Sequence, residues 1–449
     1  MKKMREMKDC QEEFLALCGL DFGYQELLEK TCRRWNISRE ELGAACRKIP
    51  KYYRIELRGI RRLLGLYVRE WMHYEELRED KHLKIYFNVP GTVTGMIWLQ
   101  QGMPEGTYLG SPDIISMTVL YGIIGRKSRL DTGNCRHCGV NVMRYLQQEE
   151  NLIPEPDVRW TNGLLCDEAP KIDYMLSILG RRTKQLLLMK SDKDEDQRDS
   201  FRIKVKNNFE EMKNSFGFCS NEKEYRSIKI ARFELALRIH QIVRLMNKDK
   251  KFYISNADIS LIETLLLTVV GKGIQEMTEV VTEIYNEIHM ISESKNKCGL
   301  RDIHNSFAVY YTPLCNPVYS RIFEENGFGL LFNTAFKNKA VAAKKNTETG
   351  ETDPYEDIAE ECLTMLIGKG VVEEAEGISS AILENGLDGI VLGMFTFDRW
   401  MGAQEKILRQ LVENNTGVRV FSYDTDFWNQ ESFEEEKLRT AVETLRGTM

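Results

Sequence analysis

Short apolar runs recur along this chain, separated by stretches long enough to be helices, and this alternation constrains the fold more than any other feature. KIYFNV (84–89), VRWTNGLL (158–165) and QLLLM (185–189) form one block, and SFAVYYT (306–312), GLLF (329–332), GIVL (389–392) and VRVFSY (418–423) form a second. Strands that are apolar at consecutive rather than alternate residues are buried on both faces, as in parallel sheets covered by crossover helices. Each block therefore predicts a small parallel sheet flanked by helices.

The segments outside these blocks carry a different period. Residues 1–78 repeat apolar side chains at three and four, through Phe14, Leu15, Cys18, Leu27 and Leu28 and again through Ile55, Leu57, Ile60, Leu63, Leu64, Tyr67 and Val68, which predicts a helical platform. Lys190 to Lys229 is heavily charged, after which FELALRIHQIVRLM (233–246) and residues 261–288 return to a helical period. The expected organisation is an N-terminal helical region at 1–78, a first α/β domain carrying the Cys loops at 79–194, a helical connector at 195–298 and a second α/β domain at 299–449. The fold class is α/β, with two flavodoxin-like parallel-sheet domains, an N-terminal helical platform and a helical connector. The polar segment 337–354 is expected to be a mobile surface loop.

Composition narrows the function. No apolar run approaches the roughly 18 residues that span a bilayer, and the opening MKKMREMKDCQEEF has no apolar core of a signal peptide. A cytoplasmic chain without membrane association is expected. Acids and bases are mixed and the formal charge is −6, so no strong positive field draws in nucleic acid. Eleven cysteines in 449 residues are too dilute for a disulfide scaffold, and in a cytosolic chain clustered Cys points first to metal or redox chemistry. Cys10, Cys18, Cys32 and Cys46 lie in the helical platform and read as small buried hydrophobes. GKG occurs at 271–273 and 368–370, but neither has the longer Gly-rich run with Lys and Ser or Thr of a phosphate loop, so ATP binding by this chain is not expected.

Parallel sheets bind ligands beyond the carboxyl ends of their strands, so the residues after each run are the candidates. They are Cys166-Asp167-Glu168, Thr312-Pro313-Leu314-Cys315, Phe395-Thr396-Phe397-Asp398 and Asp424-Thr425-Asp426. The sharpest local feature is NCRHCGVN, with Cys135 and Cys138 at CxxC spacing. Two such thiolates with a third on a separate strand-end loop make most of a metal or cluster site. A zinc ribbon would need a second CxxC, which the chain lacks, and a thioredoxin-like dithiol would follow a strand, which RKSRLDTGN does not resemble. Bland alternatives stand beside these: Cys166 as a buried thiol closing a strand, Asp398 and Asp426 as helix caps, His137 as a locally bonded side chain.

Several of these pieces, taken in order, resemble the 2-hydroxyacyl-CoA dehydratase and benzoyl-CoA reductase family, in particular its dehydratase D-component-like subunits. They are NCRHCGVN, DVRWTNGLLCDEAPKIDYML (157–176), GLDGIVLGMFTFDRW (386–400), GVRVFSYDTDF (417–427) and LRTAVETL (438–445), spread over roughly residues 80–449. The resemblance implies an oxygen-sensitive enzyme in which three Cys from three loops hold an iron–sulfur cluster, here a [4Fe-4S] cluster. It also implies an acyl-CoA substrate, a homologous partner subunit and a separate iron–sulfur activator ATPase that injects one low-potential electron. The implied reaction is removal of water from a 2-hydroxyacyl-CoA through a ketyl radical, with reduction of an acyl-CoA or aryl-CoA as the related alternative.

Carried onto this chain, Cys135 or Cys138 matches the first family Cys and Cys166 in LLCDEAPK the second. The third is expected in the turn after GIVL, where this chain has FTFD and Phe397 stands at the Cys position. Phenylalanine cannot ligate iron. The resemblance then leaves three arrangements: a set of Cys135, Cys138 and Cys166; recruitment of Cys315; or a cluster-free subunit that supports a catalytic partner.

Overall fold

A computed structural model describes residues 2–87, 93–126, 139–162, 168–178, 184–188, 195–271, 273–294, 300–310, 316–333, 353–363, 370–394, 399–424 and 434–449. The platform is four helices, α1 (Lys2–Leu17), α2 (Gln25–Arg34), α3 (Arg39–Tyr52) and α4 (Arg58–Glu76). A capping box starts α3: the Ser38 hydroxyl accepts from the Glu41 amide at 3.2 Å, and the Ser38 amide donates to the Glu41 carboxylate at 2.8 Å. Helix α4 is buried nearly all round, with Ile60, Leu63, Leu64, Tyr67, Val68 and Trp71 all inside, as a helix enclosed by others must be. Gly65 lets α4 approach the turn after α1, since a Cβ there would collide with the carbonyl oxygen of Cys18.

Two parallel four-stranded sheets follow, each with the same order. The first comprises β1 (Lys84–Phe87), β2 (Tyr108–Gly110), β3 (Val158–Asn162) and β4 (Lys184–Leu188), arranged β2-β1-β3-β4. The second comprises β5 (Asn305–Tyr310), β6 (Phe328–Asn333), β7 (Gly389–Met394) and β8 (Arg419–Asp424), arranged β6-β5-β7-β8. The 2-1-3-4 order is that of flavodoxin-like units, so the expected α/β class holds. Every apolar run that suggested a strand contains one; β2 is the strand that the sequence did not reveal. It is three residues ending in glycine, too short for a periodic signal.

Helices complete the layers. They are α5 (Val93–Gly102), α6 (Pro112–Met117), which continues as a π-helix over Thr118–Ile123, α7 (Gly139–Glu149) and α8 (Glu168–Ile178) around the first sheet. The connecting helices are α9 (Glu195–Phe216), α10 (Glu222–Asp249), α11 (Asn256–Thr264) and α12 (Ile274–Glu293), and those of the second sheet are α13 (Pro317–Glu325), α14 (Pro354–Leu363), α15 (Val371–Asn385), α16 (Arg399–Thr416) and α17 (Glu435–Thr448). Helix order begins earlier than the charged composition of 190–229 suggested, because apolar residues remain at helical spacing: Phe201, Val205, Phe209 and Met212 are fully buried.

Helix α11 covers the open edge of β6. The Asn256 side-chain amide accepts from Leu330 N at 2.9 Å and donates to Phe328 O at 2.9 Å, while the Glu263 carboxyl accepts from Asn333 N at 2.9 Å. Two side chains thus stand in for a neighbouring strand and remove an exposed edge. Near the first sheet, Trp98 of α5 packs against Phe209, Phe218, Tyr225 and Tyr355 with ring centroids 5.1–5.7 Å apart, and Phe209 meets Trp160 of β3 at 5.2 Å. This aromatic knot joins the first sheet to α9 and α10 and to Tyr355 of α14. The expected surface loop at 337–354 lies outside the described residues except for its last two.

Candidate functional site

In each sheet the chain turns one way after its first strand and the other way after its third, so the crevice of the fold opens between β1 and β3 and between β5 and β7. The connections that leave these four strands are 88–92, 163–167, 311–315 and 395–398, and all four lie outside the described residues. They carry the sequence candidates: Cys166 and Asp167 between β3 and α8, Cys315 between β5 and α13, Phe397 and Asp398 between β7 and α16. Cys135, His137 and Cys138 belong to 127–138, immediately before α7, and Asp426 follows β8; they too lie outside the described residues. Glu168 is the first residue of α8 and Asp424 the last of β8.

What the structure describes is how the chain is held on either side of these segments. Before 127–138, the Lys48 ammonium donates to Gly125 O at 3.1 Å, and the Arg126 guanidinium donates to Trp35 O at 2.7 Å and pairs with Glu41 at 3.3 Å. The platform therefore clamps the chain just ahead of the CxxC. After it, α7 is tied to α6, β3 and α8 by a charged network that is nine-tenths buried. Arg144 of α7 pairs with Asp113 of α6 at 2.5 Å and lies 3.9 Å from Asp173 of α8. Arg159 of β3 lies 3.8 Å from the same Asp173 and donates to Gln148 Oε1 at 2.8 Å, and the Thr161 hydroxyl donates to Asp173. Two cations face two anions, so the group is neutral as a whole, and burial lowers the pKa of Arg159. None of these four charges stands out in the sequence; the one signal is a charge inside an apolar run, Arg159 in VRWTN and Asp173 in KIDYML.

A second group surrounds the edge of the other sheet. Burial pushes the Glu263 carboxyl up to about 8 and that of Asp258, also on α11, up to about 7, against backbone hydrogen bonds that favour their ionised forms. Asp258 is the N3 residue of the α11 capping box with Ser255 and also accepts from Arg54 N at 3.2 Å.

A cavity of about 550 Å³ lies at the opposite, amino edge of the second sheet, between Tyr52, Phe252, Arg301 and Glu324. Six of its charges pair in a ladder: Arg301 and Arg321 on Glu324, Arg321 and Arg439 on Glu325, Arg439 on Glu435. That pairing staples α13 to α17; the strand-end crevice carries the sequence candidates and is the candidate site.

The platform cysteines behave as packing residues. Cys18, Cys32 and Cys46 are buried and Cys10 is half-buried; burial raises all four thiols, Cys32 and Cys46 to about 12. Among the described residues no group of three or more His, Cys, Asp or Glu side chains could hold a metal ion. Nor is any described helix long and apolar enough to cross a membrane.

No curated protein matches the chain. A family model described as 2-hydroxyglutaryl-CoA dehydratase, D-component, matches residues 127–447. The match begins at the segment that carries the CxxC, later than the 80–449 range of the sequence resemblance, and leaves β1, α5 and β2 outside it. It takes in β3, β4, the connecting helices and the whole second sheet. Covering well over half of the sequence, it shows that the chain belongs to the 2-hydroxyglutaryl-CoA dehydratase D-component family.

Proposed function

We propose that this chain is a subunit of an oxygen-sensitive iron–sulfur enzyme of the 2-hydroxyacyl-CoA dehydratase type. The family match over 127–447 carries the reading. It is supported by the strand order, which puts Cys166, Cys315 and Phe397 on connections leaving the strands that border the two crevices. The donor set suits a cluster in chemical type: Cys135, Cys138 and Cys166 would hold it, with Cys315 as a fourth thiol. Bound there, a [4Fe-4S] cluster would supply one low-potential electron and a Lewis-acidic iron for the thioester carbonyl or the departing hydroxyl.

The remaining work falls to the protein. The Lys48 and Arg126 contacts hold the chain that leads to Cys135, and β3 and α8 hold both ends of the segment with Cys166. The same reading assigns a homologous partner subunit, an acyl-CoA substrate, a separate iron–sulfur activator ATPase and a cytoplasmic setting. It keeps the division at 1–78, 79–194, 195–298 and 299–449.

Iron and acid-labile sulfide per chain, measured on anaerobically purified protein with the electron paramagnetic resonance spectrum after reduction, test the reading. About four of each is the expected result. None of either, after reconstitution with and without a partner subunit, removes the cluster. Phe397 favours a second reading in that event: a cluster-free subunit that stabilises a catalytic partner. It expects Cys135→Ser, Cys138→Ser and Cys166→Ser to leave the assembly and activity of the complex intact, and loss of activity would count against it.

A further inference from the structure

The cavity of about 550 Å³ at the amino edge of the second sheet has the volume of a small-molecule site, ordinarily about 300–1,000 Å³. Its walls come from three parts of the chain. Lys51 and Tyr52 end α3 and Arg54 follows them, Phe252 lies between α10 and α11, and Arg301, Arg321 and Arg439 belong to the second α/β unit. Residues 50–56 precede the family match, which begins at 127. Strand β5 is six residues, about 20 Å, long, so this cavity and the strand-end crevice are separate places.

Charge in these walls is unbalanced. Five cations line the cavity against four carboxylates, because Lys51, Arg54 and Glu56 stand beside the ladder of six. Arg54 pairs with Glu56 and donates to Phe252 O at 3.3 Å, which leaves Lys51 without an ion pair among the described residues. Burial raises the Glu324 carboxyl although Arg301 and Arg321 act against it, so the negative side of the wall is the weaker one.

Hydrogen bonding is unbalanced in the same sense. Each guanidinium carries five N–H donors. Arg301 commits Nη2 to the ladder, Arg321 commits Nη1 and Nε, and Arg439 its two Nη. The acceptors are nearer to exhaustion. One oxygen of Glu324 takes Arg301 and Arg321, the other takes the Asn256 amide at 3.2 Å, and both oxygens of Glu325 are engaged. The Arg301 and Arg439 side chains remain 45% and 39% exposed, so their uncommitted N–H groups are open to a ligand. What the wall lacks is a negatively charged acceptor, and guanidinium forks match the oxygens of carboxylates and phosphates. Beside the charges, Tyr52, Phe252, Leu300 and Val318 supply apolar surface, which a bare inorganic ion would leave uncovered.

We propose that this cavity is a binding site for a small organic oxyanion, a phosphate monoester or a carboxylate on an apolar body, held through the uncommitted N–H groups of Lys51, Arg301 and Arg439. Its body lies against Tyr52 and Val318. A ligand so placed bonds the platform to the second α/β unit, and it requires neither a cluster nor the strand-end crevice.

The test titrates the anaerobically purified full chain at low salt with phenyl phosphate, phenylacetate, phenol and inorganic phosphate, followed by calorimetry and amide exchange. One of the two organic anions is expected to bind with Kd below about 1 mM, and inorganic phosphate and phenol at least about tenfold more weakly. The tighter anion identifies the head group. Exchange is expected to slow at α3 and α17 together. Lys51→Ala alters an exposed side chain and is expected to weaken binding about tenfold, the loss of one charge-assisted hydrogen bond. Val318→Trp fills the cavity and is expected to abolish binding; if it does not fold, Lys51→Ala decides alone. The site is overturned if neither organic anion binds below about 10 mM, if phosphate or phenol binds as tightly, if a folded variant binds unchanged, or if α3 and α17 are not protected.

Discussion

Glu263 shows what burial does to one residue. Its carboxyl has an ordinary value of 4.5 and is pushed up to about 8, with the Asn333 amide as its hydrogen-bond partner. A folded pKa above the unfolded one means that the folded state holds its proton longer as pH rises. The stabilising contribution is thus whole below about pH 4.5 and is lost as pH climbs through 8. Glu263→Gln keeps the acceptor oxygen and cannot ionise, so its urea midpoint should exceed that of the native chain at pH 8.5 and match it at pH 4.5. The gain should be at most a few kcal/mol; curves that stay parallel across pH would refute it. At Asp113 and Arg159 the consequence of burial is hydration. Among the described residues Asp113 Oδ1 and Arg159 Nε have no hydrogen-bond partner, and they border a cavity of about 20 Å³, room for one water. A crystal structure should show an ordered water there bonded to both atoms, and an empty cavity would contradict this.

Elements depend on their ends and edges. Ser38 supplies the hydroxyl half of the α3 capping box, so Ser38→Ala should cost about 1 kcal/mol in chemical denaturation. Asn256 matters more, because its amide serves both a donor and an acceptor on the edge of β6 and bonds Ser320 O as well. Asn256→Leu leaves Leu330 N and Phe328 O buried without partners and should cost about 3 kcal/mol, with faster amide exchange confined to β6 and α11. No change in exchange at Leu330 would sink that account. Such edge contacts are invisible in sequence, since Asn256 sits in YISNADIS as one more candidate cap. The strands were legible because a doubly covered strand must be apolar at consecutive positions, as in FAVY and GIVL. Strand β2 was not, since three residues ending in Gly110 carry no period.

At the scale of the whole molecule, the sheets are held by what lies between them. Trp98 is fully buried and joins α5 to α9, α10 and α14 through four rings. Trp98→Ala should cost about 3–5 kcal/mol and raise protease sensitivity at α9 and α14 together; cleavage limited to one of them would show that the knot is not shared. The order of short apolar runs and helix-length stretches was enough to determine the α/β class, the two parallel sheets and the candidate loops at strand ends. Local periodicity reports which faces are buried, and burial on both faces leaves few architectures open. The sequence also determined the chemical types in the candidate segments, the four thiols of Cys135, Cys138, Cys166 and Cys315 and the phenylalanine at 397, and the order of motifs that points to the family. Only the tertiary structure decided that Arg144, Asp113, Asp173 and Arg159 form one neutral buried group, that Glu263 and Asn256 replace a missing strand, and that Arg301, Arg321 and Arg439 pair with Glu324, Glu325 and Glu435. Those pairings join residues from different elements, and whether a charge is buried beside its opposite depends on register and packing, which no local period encodes.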